Sequence, residues 1–107
     1  MLPDFIPNEL SANIRPEAEA DVVEAALWYE QQNPGLGEKF VAAVDQAIRR
    51  VIENPLAFPV IHRRHEVRRA LTHRFPYRVF FTLKGDTVFI HAVLHGHRHD
   101  RHWKARL

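Results

Sequence analysis

All eight histidines of this 107-residue chain lie after residue 56, and five of them fall in the stretch "HAVLHGHRHDRHWKARL", between His91 and His102. Arg98, Arg101 and Lys104 are interleaved with them. Imidazoles of this kind can ligate zinc or nickel. They can also move protons near neutral pH, and arginines can fork onto phosphate oxygens. The metal chemistry is poorly served. His95, His97, His99 and His102 sit close together, but there is no helix-borne HExxH, no cysteine, and only Asp100 as a nearby carboxylate. No metal and no cofactor is expected.

Other chemistries are excluded in turn. The sole serine is Ser11, and no GxSxG motif surrounds it. Paired carboxylates for glycoside chemistry are missing from the basic half, which holds only Glu66, Asp86 and Asp100. Four glycines in the whole chain leave no phosphate-cradling loop. Two uses remain for the cations and imidazoles. In a metal-free phosphate reaction, Arg69, Arg78 and Arg98 would hold the phosphate, and His95 or His97 would shuttle the proton. In plain recognition, Arg69, Arg74, Arg98, Arg101 and Trp103 would present a basic surface to an acidic target. Trp103 follows a polar run, so it either anchors the tail to the body or touches a partner.

The net charge of +2 conceals a strong asymmetry. Residues 1–55 carry ten acidic and four basic residues, whereas residues 56–107 carry three acidic and eleven basic ones. Charge separated along the sequence can become charge separated in space and steer the molecule towards nucleic acid, a nucleic-acid machine or an acidic protein. Without cysteine there are no disulfides. "MLPDFIPNEL" lacks the pattern of a signal peptide, and no run approaches the ~18 apolar residues that span a bilayer. A cytoplasmic protein is expected, with residues 1–107 forming one domain around one core.

The elements that must position these residues follow from periodicity. "NELSANIR" reads as a strand, with Leu10, Ala12 and Ile14 alternating. A helix starts at "RPEAEAD", where Pro16 suits the first position and Glu17, Glu19 and Asp21 complement the positive end. Ala18, Val22, Ala25, Ala26 and Tyr29 recur at helical spacing until "NPG" at 33–35 stops the helix. From Leu36 a second stripe of Phe40, Val44, Ile48, Val51 and Ile52 runs to "NP" at 54–55. Two such helices form an antiparallel hairpin, and a sheet is the natural cover for their apolar faces. "EVRRALTH", "YRVFFTL" and "TVFIHAVL" supply it, the last two joined by "KGD" at 84–86. Strict alternation puts Tyr77, Val79, Phe81 and Leu83 with Val88, Ile90, Ala92 and Leu94 on one apolar face. Arg78, Phe80, Thr82, Phe89, His91 and Val93 fall on a mixed face that meets water or a partner. The expected fold is α+β, in the order β-α-α-β-β-β, with a helix hairpin packed on a small antiparallel sheet.

This pattern resembles the RelE/ParE superfamily of bacterial toxins, also called plasmid-stabilisation proteins. The likeness is carried by "IRPEAEADVVEAALWYEQQNPGLGEKF", "VIENPLAFP" and "RFPYRVFFTLKGDTVFIHAVLHGHRHDRHW", in that order, over roughly 14–106. It implies the toxin of a type II toxin–antitoxin pair, neutralised by a cognate antitoxin in a groove beside the helix hairpin and the sheet. A heterotetramer of toxins bridged by antitoxins is common in the family. The RelE-like branch cuts messenger RNA on the ribosome; the ParE-like branch poisons DNA gyrase. Arg78 and Arg98 fall where the ribonucleases carry phosphate-stabilising arginines, Arg69 where they carry basic residues, and His95 near a histidine that one subgroup uses. Trp103, however, replaces the tail tyrosine of another subgroup, and an indole N–H donates but cannot accept a proton. The resemblance therefore favours the ParE-like branch and a non-enzymatic inhibitor. A metal-independent endoribonuclease and a non-toxic binding homologue are the alternatives.

Overall fold

The computed structural model describes residues 10–97 and 101–107. β1 (Ser11–Ile14) leads into α1 (Pro16–Gln32) and α2 (Leu36–Glu53). A 3-10 turn at Pro55–Ala57 precedes β2 (Val60–His62), β3 (Val67–Leu71), β4 (Tyr77–Lys84) and β5 (Thr87–His95), and α3 (Arg101–Lys104) follows. The helix boundaries coincide with the sequence signals: Pro16 opens α1, and Gly35, at φ 90°, sits in the left-handed region that lets the chain turn into α2. No side chain caps α2 at its own N-cap. Instead Glu30 reaches across from α1, and its carboxylate accepts the Gly35 and Gly37 N–H groups at 2.9 and 3.0 Å. The hairpin is tight at this point. A Cβ on Gly37 would lie 2.6 Å from the Ala26 carbonyl oxygen.

The architecture is α+β, a helix hairpin on a five-stranded open sheet of order β1-β5-β4-β3-β2. The sheet is antiparallel from β5 to β2, but β1 joins β5 in parallel, Ser11 opposite Thr87 and Ile14 opposite Ile90. The helical hairpin carries the chain from β1 at one edge of the sheet to β2 at the other. β2, the 3-10 turn and α3 are additions to the order expected from sequence. Among the described residues no helix is long and apolar enough to cross a membrane.

The helices cover one face of the sheet. Phe40, Val44, Val51, Val79, Phe81, Val88, Ile90 and Val93 form the main core there, with Tyr29, Phe75 and Tyr77 packed against it. The assignment of faces along β5 differs from strict alternation. Phe81 pairs with Ile90 but Phe80 with Ala92, so His91 is an extra residue, a β-bulge. Beyond it the faces exchange. Val93 points to the helices, whereas Ala92 and Leu94 turn to the far side with Val67, Phe80 and Trp103 in a second, smaller core. The mixed face is thus partly roofed by the chain's own α3.

Candidate functional site

The bulge organises the surroundings of β5. A bulge frees backbone groups from the ladder, and these need other partners. Asp21, on α1, accepts the Val93 N–H at 3.0 Å. Arg106 closes a fork onto the same carboxylate at 2.6 and 3.1 Å and donates to the His91 carbonyl at 3.1 Å. Donation to the Asp21 carboxylate raises the Arg106 pKa and keeps its cation fixed. Thr82 and His91 Nε2 share a hydrogen bond of 2.8 Å on the far face. Burial lowers the His91 pKa, and the nearby Arg15 and Lys84 cations lower it further. His91 is therefore a neutral partner for Thr82 at pH 7.

Beside this bulge lies a cleft of about 550 Å³ between α1 and β5. Asp21, Glu24, Trp28, Tyr77, Val93 and His95 are among the residues that line it. Trp28 is 56% exposed, so an aromatic ring stands open at its rim. β1 ends opposite Ile90, which leaves the β5 edge beyond the bulge without a strand neighbour among the described residues. An open edge next to an apolar, acidic-rimmed cleft can accept an extended segment. On the outer side of the hairpin, Val23, Leu27 and Val41 are also exposed and flank a second groove.

The candidate cations and imidazoles are distributed over several places. Arg78 stands opposite Leu71 and Leu94 on the far face, its guanidinium lying against Gly96. Arg69 is on the same face, paired with Phe80, and its buried Nε has no hydrogen-bond partner among the described residues. Arg74 is exposed in the β3–β4 turn at φ 73°. Arg101 is exposed at the start of α3. Arg98, with His99 and Asp100, lies outside the described residues. His95 is on the helix face opposite Tyr77, in edge contact with that ring at 5.4 Å and stacked on His97 at 5.0 Å. Its Nδ1 accepts the His97 backbone N–H at 3.1 Å, so the proton of the neutral ring is on Nε2. Arg78 and His95 therefore leave neighbouring strands from opposite faces, and the described residues do not bring them to a common point.

Trp103 resolves the choice left open by its position. It packs inward, 1% exposed, stacked on Phe80 at 5.2 Å and in edge contact with His62 at 5.7 Å. It anchors the tail, and its burial leaves it no surface to offer a target in this arrangement. Among the described residues no group of three histidine or acidic side chains could hold a metal ion. Asp21 and Arg106, which hold the cleft wall and the tail together, were not singled out from sequence as a pair; no spacing rule links residues 85 positions apart.

Comparisons with known proteins agree with this architecture. No curated protein matches the chain. A solved structure described as the chromosomal ParDE toxin–antitoxin system from P. aeruginosa is similar at a TM-score of 0.73 and 18% sequence identity, over 82% of this chain and 97% of that one. At that identity the likeness concerns the fold. The family model for the ParE toxin of the type II toxin–antitoxin system parDE matches residues 12–100. By that match over most of its length, reinforced by the shared fold, the chain belongs to the ParE toxin family of type II toxin–antitoxin systems.

Proposed function

We propose that this ParE-family toxin acts on DNA gyrase and is held inactive by a cognate antitoxin seated along the cleft between α1 and the free edge of β5. The observation that carries the target is the ParE match itself, taken with the separation of Arg78 from His95. A ribonuclease would need those two groups around one phosphate. The far-face cations Arg69 and Arg78, with Arg74 and Arg101 at its margins, supply the electrostatic attraction to a DNA-bound enzyme without any bond-making step. The antitoxin reading is supported by the β5 edge, which has no strand neighbour beyond the bulge among the described residues, and by the open Trp28 ring beside it. An extended antitoxin segment would add main-chain hydrogen bonds there, and its side chains would fill the apolar floor.

The test uses antitoxin-free folded protein with purified gyrase and supercoiled plasmid. Accumulation of protein-linked double-strand breaks, or loss of supercoiling, is the expected result. Unchanged supercoiling and no cleavage at saturating protein overturn the gyrase assignment. Mapping messenger 5′ ends in a reconstituted translation reaction tests the ribonuclease alternative directly; new cuts that require ribosomes would favour it.

A further inference from the structure

The far side of the molecule carries a second charged feature outside the cleft. The β2–β3 hairpin is closed by a turn over residues 63–66, in which the Glu66 N–H donates to the Arg63 carbonyl at 3.1 Å. Arg63, Arg64 and His65 project at its tip, all exposed. Trp103 ties this tip to α3: its ring meets His62 at 5.7 Å, His62 meets His65 at 5.6 Å, and the Lys104 ammonium lies 5.6 Å from the indole centroid. Arg63 and Arg64, exposed at the hairpin tip, and Arg101 and Lys104, exposed on α3, thereby lie on two elements joined through Trp103. The only carboxylate of the hairpin tip, Glu66, is engaged by Arg68 at 3.0 Å. The acidic residues of α1 lie over the opposite face of the sheet. The charge asymmetry of the sequence has become an asymmetry in space.

We infer that this hairpin–helix surface grips the phosphate backbone of duplex nucleic acid directly, whichever enzyme the toxin acts on. Three features favour that ligand. The groups are mostly arginines, which match phosphate oxygens in a forked geometry. The aromatic rings beneath them, Trp103 and Phe80, are buried, so among the described residues no tryptophan, tyrosine or phenylalanine platform is offered there for stacking unpaired bases. For the same reason no exposed aromatic anchor of the kind that dominates protein–protein interfaces stands in the patch. What remains is sequence-independent backbone contact, driven by release of counterions.

The full-length chain, freed of antitoxin, is titrated into a short fluorescent DNA duplex and anisotropy is followed from low to moderate salt. Four phosphate contacts predict a slope of log K against log salt near about −3.6. The R63A/R64A variant should flatten the slope to about −1.8, since each lost contact removes about 0.9. R101A should remove about one contact. Arg49→Ala, on an exposed cation of α2 paired with Asp45, should leave the slope unchanged. Thermal melts confirm that these exposed substitutions leave the fold intact. Binding that is identical in R63A/R64A overturns the site. Stronger binding to single strands overturns the duplex preference. Equal competition by polyglutamate overturns nucleic acid in favour of an acidic protein partner.

Discussion

Breaking the Asp21–Arg106 fork tests whether the tail and the bulge hold each other. Both side chains are largely buried, 11% and 23% exposed, and the pair has three hydrogen bonds of its own or to the bulge besides the one from Val93. Asp21→Ala leaves the Arg106 cation unpaired and the Val93 N–H without its acceptor. Hydrogen bonds to charged groups contribute ~1.5–3 kcal/mol, and an orphaned buried donor costs ~1–3 kcal/mol. Residual exposure lets water recover part of this, so a loss of about 2–4 kcal/mol is expected in urea unfolding. Asp21→Asn keeps an acceptor for Val93 while removing the charge, and should cost about half as much. Arg106→Ala removes the tail's side of the fork and should cost about 2 kcal/mol. The double variant should then be more stable than the sum of the single losses by about 1.5 kcal/mol. A coupling below about 0.5 kcal/mol refutes the fork as a structural clamp. Because its hydrogen bonds to Asp21 raise the Arg106 pKa above its already high value, deprotonation of Arg106 itself breaks the fork only in strong alkali.

Trp103→Ala empties the second core and should cost ~3–5 kcal/mol, read as a fall in urea midpoint. Trp103→Phe should cost far less, because it keeps a ring over Phe80 and removes the indole N–H that has no partner among the described residues. Gly37→Ala forces a Cβ into the Ala26 carbonyl and should destabilise by ~1–3 kcal/mol, whereas Gly37 would be replaceable if the hairpin could open without cost. His91 has a pKa below its ordinary 6.5, so the unfolded chain takes up a proton first as pH falls. Stability should therefore decline on acidification from about pH 6.5, and His91→Gln should flatten that decline in Tm measurements; parallel curves would show that His91 does not contribute.

The helices were legible because their punctuation is local: Pro16, the "NPG" turn and the "NP" stop each act on the backbone where they stand. The faces of β4 were equally legible, and β5 followed its alternation as far as Ile90. The bulge at His91 then moved Ala92 and Leu94 to the far side, and a one-residue insertion leaves no mark in composition. The parallel pairing of β1 was hidden for a similar reason, since its partner lies some seventy residues away and Leu10, Ala12 and Ile14 specify only a strand. β2 has three residues and α3 has four, both too short for periodicity to reveal. Among the candidate site residues, alternation put Arg78 on the face away from the helices, where it stands. Alternation alone would put His95 on the side of Arg78; the bulge at His91 shifts it to the helix face.

The pairing of β1 with β5 also governs how the chain is made. Ser11 leaves the ribosome early, but its partner Thr87 follows only after both helices and three other strands. Until then the helical stripe of Phe40, Val44 and Val51 has no completed sheet to cover it. A nascent chain interrupted before β5 cannot assemble either the cleft or the far-face surface. The poisonous form of the molecule is thus withheld from the growing polypeptide by topology alone, and it comes into being only when the strand that joins the beginning of the fold to its end has been synthesised.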